Sequence, residues 1–158
     1  MTFELNKNYC ILTNSINQNL LTKLNEYTIY NDEYGYKELK EIIENYYKKT
    51  IVFNDCLRRL RQIEKKKLIE LIHLRNMNYI NVTSNIEETL LCDYIYVFNN
   101  DELVMEGQKE GLLQEEKLLK RLGFGLPFVV DVSTQLKYYN IVSKIYYDVE
   151  ELVNDLWN

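Results

Sequence analysis

Short apolar runs alternate along this chain with longer segments in which apolar residues return every three or four positions. Runs of about four to eight apolar or β-branched residues bounded by turn-forming residues are typical of strands. Such runs predict strands at residues 2–5, 8–13, 50–53, 79–83, 94–99 and 103–107. The "NNDE" segment between the last two runs predicts a turn, so these two strands are expected to form a hairpin.

The longer segments carry apolar residues at helical spacing, as with Leu39, Ile42 and Tyr46 on one face of a single helix. This spacing predicts helices at residues 16–25, 36–47, 57–76, 86–91, 109–113, 114–122, 127–139 and 148–157. The "GFGLP" segment interrupts the tail helices after Leu122, because glycine and proline end helices.

Strands that alternate with helices predict an α/β fold with a parallel sheet covered by helices on both faces. In such sheets, ligands bind beyond the carboxyl ends of the strands. Three strand ends therefore hold the candidates for chemistry, at residues 13–21, 54–55 and 83–85.

The composition is that of one ordinary globular domain. A chain of 158 residues can bury a single core, and 46% hydrophobic with 27% charged residues excludes extensive disorder. The net charge of −5 gives no reason to expect nucleic acid as a partner. Because no signal-peptide-like segment or bilayer-spanning apolar run is present, we expect a cytoplasmic protein without direct membrane insertion.

The sequence predicts no metal site. Cys10, Cys56 and Cys92 lie in or beside apolar runs, and their odd number and wide spacing favour buried, reduced thiols over a disulfide or metal ligands. His73 has no cysteine or second histidine nearby in the sequence, which favours a surface or half-buried helical position.

The first strand end has the layout of a phosphate-binding loop without its chemistry. Such a loop needs two glycines, a lysine that offsets the phosphate charge and a hydroxyl for magnesium. Here asparagines replace the glycines, leucines replace the lysine and the hydroxyl residue, and a threonine follows one step late. The candidate phosphate-loop positions are Asn14, Asn17, Asn19, Leu20, Leu21 and Thr22. Any strand followed by a loop and a helix fits this pattern, so the match by itself is unspecific.

The second strand end, "IVFND", resembles the Walker B strand of ABC ATPases. In that family an aspartate after the strand holds magnesium, and the following glutamate polarises the attacking water. Here Asn54 stands at the magnesium position and Asp55 at the glutamate position. An amide is a weak magnesium ligand beside a carboxylate. The alternative is a structural strand whose end is capped by Asp55.

The third strand end continues as "YINVTSNIEETLLCDYIYVFNNDELVMEG" and resembles the same family more closely. In ABC ATPases this strand ends in Thr-His-Asp, a short helix begins with Met/Ile-Glu-Glu, and a hairpin ends in Glu-Gly. Ser84 stands where the histidine that senses the γ-phosphate would lie. A serine can donate a hydrogen bond but cannot carry the charge of an imidazolium.

The tail is similar to the C-terminal extension of energy-coupling factor (ECF) transporter ATPases. Gly123, Pro127, Asp131 and the glutamates at 150–151 match its helix break, proline, internal acidic residue and final helix. We therefore expect a reduced P-loop NTPase-like, ABC ATPase-like fold with a C-terminal helical extension.

The resemblance implies a shortened α/β core at residues 1–107 and a dimerisation-type extension at residues 108–158. Full-length members carry a helical subdomain with the LSGGQ signature between the phosphate loop and the Walker B strand. Here only about Tyr27 to Lys49 lies between them, and "YNDEY" stands in the place of the signature. Because that subdomain forms much of the groove for the membrane subunits, its absence implies a smaller docking surface.

The first hypothesis is a degenerate relative of an ECF ATPase that has lost nucleotide and metal cofactors and the ability to hydrolyse ATP. It would associate with itself or with an intact ATPase subunit of an ECF-type transporter, in the cytoplasm and peripherally at the inner face of the membrane. The second hypothesis is an unusual but functional subunit that binds ATP and magnesium through Thr22, Asp55 and Arg58 or Arg61.

The third hypothesis is an anion- or nucleic-acid-binding module built on the basic helix 58–67. Its alternative is a solvated helix face balanced by Glu64 and Glu70, which we favour because no aromatic stacking platform accompanies the cations. Four tail tyrosines predict either a protein contact surface or packing with exposed hydroxyls: Tyr138, Tyr139, Tyr146 and Tyr147.

Overall fold

One mixed sheet organises the molecule. The structure, a computed structural model, describes residues 1–15 and 18–158. Within these residues it contains β1 (Tyr9–Thr13), β2 (Ile29–Tyr30), β3 (Thr50–Asn54), β4 (Asn78–Thr83), β5 (Tyr94–Asn99) and β6 (Glu102–Gln108). The strands lie in the order β2-β3-β4-β1-β5-β6. Neighbours are parallel except for β5 and β6, which form the predicted antiparallel hairpin.

The central strand β1 is buried along its whole length. It pairs on one side with β4 and on the other with β5, so that Tyr9 lies opposite both Ile80 and Tyr94. The order β3-β4-β1 confirms that the segments around residues 8–13, 50–54 and 79–83 lie side by side. Because these strands are parallel, their carboxyl ends meet at one margin of the sheet, here called the carboxyl edge.

The predicted strand at residues 2–5 is wrong, since these residues do not adopt strand structure. Both edges of β1 are already taken by β4 and β5, which leaves no free neighbour for a strand beside it. Phe3 instead packs edge-on against Tyr9 and Tyr96, with ring centroids 4.9 and 5.7 Å apart. The Tyr96 hydroxyl donates a 2.7 Å hydrogen bond to the carbonyl of Thr2. The apolar character of this segment therefore serves aromatic packing.

Each predicted helix has a counterpart among the described residues; the one at residues 86–91 has the predicted bounds, and the others are shorter. They are α1 (Gln18–Thr22), α2 (Tyr36–Asn45), α3 (Gln62–Leu74), a 3₁₀ helix (Ile86–Leu91), α4 (Lys109–Leu112), α5 (Glu116–Arg121), α6 (Phe128–Tyr138) and α7 (Val149–Trp157). The predicted start of the first helix at residues 16–17 lies outside the described residues.

The start of α3 differs from the prediction at residue 57. Residues 57–60 form a turn closed by the backbone bond from Leu60 to Leu57. The carboxylate of Glu64 then accepts a 2.9 Å hydrogen bond from the backbone N–H of Arg61. This bond satisfies an N–H at the beginning of the helix and so fixes its first turn.

The two faces of the sheet are covered unequally. Cys10 and Leu12 belong to the larger core, which α2, α3 and the tail helices α4–α7 complete. Tyr9 and Ile11 belong to a smaller core, closed by Leu20 of α1 together with aromatic side chains. The α/β fold class with helices on both faces is thus confirmed. The tail helices share the larger core with the rest of the chain, and a division at residues 107/108 stays a prediction.

All three cysteines are buried free thiols, as predicted. Burial raises the pKa of Cys56 to about 12, and its thiol donates a 2.8 Å hydrogen bond to the carbonyl of Tyr30. A hydrogen bond with Cys92, together with burial, holds the pKa of Cys10 well above its ordinary value. Protonated, enclosed thiols are poor nucleophiles and poor metal ligands, so these residues have a structural role.

A buried ion pair joins α3 to the 3₁₀ helix. Lys65 Nζ and Glu88 Oε1 are 2.9 Å apart, and the two side chains are 7% and 1% exposed. Asn81 of β4 donates a 2.9 Å hydrogen bond to the second oxygen of the same carboxylate. The expectation of a solvated basic face is therefore wrong for Lys65, because its charge is turned inward and neutralised by Glu88.

We expect Lys65→Met to destabilise the fold by about 3–5 kcal/mol, because it leaves the carboxylate of Glu88 buried without a counter-charge. The double variant Lys65→Met/Glu88→Gln should recover most of that loss, since it removes both charges and keeps an acceptor for Asn81. Urea unfolding at pH 7 measures both effects. Lys66→Met is the control, because its side chain is 44% exposed; equal stability of the two single variants would contradict the prediction.

Candidate functional site

The end of β1 is tied to the tail of the chain. Thr13 and Ser15 close a short turn, in which the Thr13 hydroxyl lies 3.0 Å from the Ser15 carbonyl. The exposed side chain of Asn14 donates a 2.5 Å hydrogen bond to the carbonyl of Leu122. Leu122 precedes Gly123, whose φ of +88° reverses the chain at the predicted break. The side-chain amide of Asn14, at the first glycine position of the candidate phosphate loop, is therefore already hydrogen-bonded to the tail.

The remaining candidate phosphate-loop positions that the structure describes lie on α1, and their side chains have different surroundings. Asn19 donates a 3.0 Å hydrogen bond to Asp101 in the turn of the β5–β6 hairpin. Leu20, at the lysine position, is 1% exposed and packs in the smaller core. Leu21 is half-buried and Thr22 is exposed. Asn17 lies outside the described residues.

The end of β3 carries two unpaired acceptors. Asn54 donates a 2.9 Å hydrogen bond to the side chain of Asn31, but its own oxygen is buried without a partner among the described residues. Asp55 follows with a φ of +57°, and one of its carboxylate oxygens is likewise buried and unpaired there. Its other oxygen lies 3.5 Å from the guanidinium of Arg58.

Burial raises the pKa of Asp55, and the nearby Arg58 only partly opposes this effect. The carboxylate is 16% exposed and loses part of its hydration in the fold. The backbone N–H of Asp55 donates a 2.8 Å hydrogen bond to the carbonyl of Val82 directly after β3. The alternative of a structural strand end capped by Asp55 stays a prediction.

The end of β4 leads from the carboxyl edge into the tail. Thr83 accepts a 3.0 Å hydrogen bond from the backbone of Asn85, and Asn85 caps the 3₁₀ helix by accepting from Glu87. Glu87 in turn accepts a 2.6 Å hydrogen bond from the first backbone N–H of α6, at Phe128. Ser84 itself is exposed. Ser84, the position of the histidine that senses the γ-phosphate in ABC ATPases, thus lies on a segment that is hydrogen-bonded to the C-terminal helices.

Neighbouring cations are already engaged by carboxylates. Arg59 lies 3.5 Å from Asp32, and Arg61 lies 3.0 Å from Glu64. Lys66 lies 3.7 and 3.8 Å from Asp148 and Glu150. Exposed pairs of this kind contribute little to stability, but they cancel local positive charge. Arg59, Arg61 and Lys66 of the basic segment 58–67 therefore have local acidic partners.

The sequence-based reasoning missed three partners of the carboxyl edge, namely Asn31, Asp101 and Leu122. The only local signal was the glycine-rich break after Leu122, which predicts a chain reversal but not where the reversal lies. His73 is exposed on α3, as expected, and its ring Nε2 lies 2.8 Å from the amide nitrogen of Asn8.

In the part of the chain that the structure describes, no group of three or more His, Cys, Asp or Glu residues is placed to hold a metal ion. Nor does any helix within residues 1–15 and 18–158 have the length and apolar character needed to cross a membrane.

No model of a known protein family matches the chain. Individual relatives do. The energy-coupling factor transporter ATP-binding protein EcfA1 of Geobacillus kaustophilus is 27% identical over 112 residues, covering 68% of this chain and 40% of the relative. The EcfA1 protein of Mesomycoplasma hyopneumoniae is 32% identical over 78 residues, covering 49% and 27%. The chain therefore spans about two fifths or less of the length of these relatives.

Solved structures of ABC proteins align with about half of the chain. CbiO1 from Clostridium perfringens, part of the ABC transporter complex CbiONQ, is 15% identical with a TM-score of 0.38, covering 48% of this chain and 32% of that one. A bacterial Atm1-family ABC exporter with ATP bound is 14% identical with a TM-score of 0.42, covering 48% and 14%.

We expect Asp55→Asn to stabilise the protein at pH 7. Because the pKa of Asp55 is raised in the fold, ionisation favours the unfolded chain as the pH rises from the ordinary value of 3.8 through the folded value. The amide removes this penalty, and asparagine tolerates a positive φ. Thermal unfolding should show a higher midpoint at pH 7 and a smaller gain at pH 4.

Asp32→Asn is the matched control, because Asp32 is half-exposed and also lies 3.5 Å from an arginine. Its unfolding midpoint should not rise. A gain for Asp55→Asn that is equally large at pH 4 would show that backbone preference alone, and not charge burial, produces the effect.

Proposed function

The chain is related in sequence to the ATP-binding subunits of energy-coupling factor transporters, and on that basis we propose that it is a degenerate, non-hydrolysing member of this group. In this proposal it binds neither ATP nor magnesium. It acts by association, with itself or with an intact ATPase subunit, in the cytoplasm at the inner face of the membrane.

The burial of Leu20 is the observation that carries the proposal. The lysine of a phosphate loop offsets the charge of the bound phosphates, whereas Leu20 is 1% exposed and forms part of the smaller core. The Asn14 amide is engaged by the Leu122 carbonyl. Charge-assisted hydrogen bonds are the strong contacts to phosphate, and neither of these two positions supplies one. The residues at this edge do not fit a magnesium triphosphate.

A second candidate is the unusual ATP-binding subunit acting through Thr22, Asp55 and Arg58 or Arg61. The buried, unpaired oxygens of Asn54 and Asp55 favour it, because hard cations take oxygen ligands. It requires the pairs of Arg58 with Asp55 and of Arg61 with Glu64 to open.

The tail supports a role in association. Among the described residues, fifteen large apolar side chains are exposed, and eight of them lie between Phe128 and Trp157. Contiguous exposed apolar side chains mark interaction surfaces, and Val149, Val153 and Leu156 recur at helical spacing on α7. Tyr138 and Tyr139 are 81% and 70% exposed, whereas Tyr146 is buried. Tyr147 donates a hydrogen bond to the backbone of α4, at Glu110. Exposure leaves Tyr138 and Tyr139 available for a protein contact, whereas Tyr146 and Tyr147 are engaged within the fold.

Isothermal titration with Mg-ATP tests the loss of nucleotide binding. We expect no saturable heat at ATP concentrations up to about 1 mM, a limit that corresponds to less than about 4 kcal/mol of binding free energy. An intact ECF ATPase subunit is the positive control. Micromolar binding that is abolished in Asp55→Ala would instead establish the second candidate.

Sedimentation velocity tests the association. We expect the chain mixed with an intact ECF transporter ATP-binding subunit to form a species heavier than either protein alone, because the exposed apolar tail favours burial against a partner. A chain that sediments as a monomer both alone and in the mixture at about 50 μM would contradict the proposed role.

A further inference from the structure

The single histidine of the chain is bonded at the margin of the sheet where the parallel strands begin, here called the amino edge. His73 lies in the last turn of α3, and its ring Nε2 is 2.8 Å from the side-chain nitrogen of Asn8, the residue before β1. Asn8 is 7% exposed, whereas His73 is exposed, and both line a concavity of about 330 Å³. A buried amide is therefore bonded to a ring that solvent protons can reach.

The orientation of the Asn8 amide is fixed from its other side. Its Oδ1 accepts a 3.1 Å hydrogen bond from the backbone N–H of Tyr79, which is fully buried in β4. Because the oxygen must face this donor, the amide nitrogen faces the ring, and Nε2 of His73 has to be the acceptor. A neutral imidazole that accepts at Nε2 carries its proton on Nδ1. The backbone of β4 thus selects one tautomer of an exposed histidine.

A second proton on the ring is incompatible with this hydrogen bond. It would place an N–H donor on Nε2, against the N–H donor of Asn8, and two donors cannot form a hydrogen bond with each other. Turning the amide over would place its nitrogen against the N–H of Tyr79 instead. Histidine side chains gain their charge between about pH 8 and pH 5. Mild acid therefore requires the His73 ring to leave Asn8.

Three features favour the charged ring once it has left Asn8. Asp93, at the start of β5, lines the same concavity as the ring. Glu70, one turn earlier on α3, lines a neighbouring concavity that the ring also borders. The last turn of a helix favours a positive charge, because the unpaired carbonyls there carry partial negative charge. The neutral and charged rings consequently have different preferred surroundings.

The cations nearby oppose the charged ring only weakly, because each is engaged by an oxygen. Lys7 Nζ lies 2.9 Å from the carboxylate of Glu4. Lys49 donates a 3.4 Å hydrogen bond to the carbonyl of Asn76, beside the concavity. The guanidinium of Arg75 is directed at backbone carbonyls at the end of α2.

We propose that His73 and Asn8 form a proton-operated latch between the last turn of α3 and the start of β1, closed by the neutral ring and opened by the imidazolium. The proton comes from solvent and stays on Nε2, and the ring turns into the concavity. Water then replaces it at the Asn8 amide, since a buried donor left without a partner is costly. The backbone N–H of Asn8 also donates a 2.8 Å hydrogen bond to Asp93, so opening alters the beginnings of β1 and β5. This inference does not depend on the proposed function.

Nuclear magnetic resonance of the ¹⁵N-labelled full chain tests the latch. Because His73 is the only histidine, its ring signals need no assignment. Near pH 8 we expect Nδ1 at the chemical shift of a protonated ring nitrogen and Nε2 at that of an unprotonated one. As the pH falls to about 5.5, the side-chain NH₂ signals of Asn8 should shift in the same transition as the ring signals.

His73→Gln is the decisive variant, because the glutamine oxygen can accept from Asn8 without titrating, and the exposed position tolerates the change. Its Asn8 signals should stay constant between pH 8 and pH 5.5. Leu74→Gln is the matched control, since Leu74 is the next residue on α3 and is 81% exposed. Its Asn8 signals should shift with pH as in the unmodified chain.

Three results would overturn the latch. The first is a ring that carries its proton on Nε2 near pH 8, or that samples both tautomers as free histidine does. The second is a set of Asn8 signals that stays unchanged while the ring takes up its proton. The third is an equal shift of these signals in His73→Gln, which would assign the response to another titrating group.

Discussion

The rest of the structure depends on the hydrogen-bonding requirement of β1. This strand is buried on both faces, so each of its backbone groups must pair within the protein. Its two neighbours come from residues 78–83 and 94–99, far along the chain, and parallel pairing forces the intervening segments to cross over the sheet. The crossovers supply the helices that bury the sheet. The carboxyl ends of β1, β3 and β4 are aligned as a consequence.

The same requirement explains why a strand, a loop and a helix follow one another here whatever side chains the loop carries. The segment after β1 must leave the sheet and return along its face, whichever side chains it carries. Leu20 contributes to the smaller core from the position where a phosphate loop places its lysine. The apolar side chain gains burial there, whereas an ammonium group would have to be desolvated without a partner. Packing and phosphate binding therefore make opposite demands on this position.

The tail is an integral part of the fold. It reaches β1 through the bond between Asn14 and Leu122, and the 3₁₀ helix through the bond between Glu87 and Phe128. Val129 and Leu152 belong to the same core as β1. The segments that follow β1 and β4 are consequently hydrogen-bonded directly to the tail. A partner bound at the tail would contact the part of the molecule that is hydrogen-bonded to the carboxyl edge.

The sequence by itself determined the kind and order of most elements, because strand and helix periodicities depend on residues within a few positions of one another; the two-residue strand β2 (Ile29–Tyr30) is too short for such a pattern. It also identified the three strand ends that meet at the carboxyl edge and the absence of a lysine and glycines after β1, since these are visible without a structure. The false strand at residues 2–5 shows the limit of local pattern. Only the tertiary structure decided that Lys65 is turned inward to Glu88, and that Asn14 is held by Leu122. Those partners lie 23 and 108 residues away in the sequence. Which residues become partners depends on how distant strands pair, and on which polar side chains are buried and must therefore find a partner within the protein.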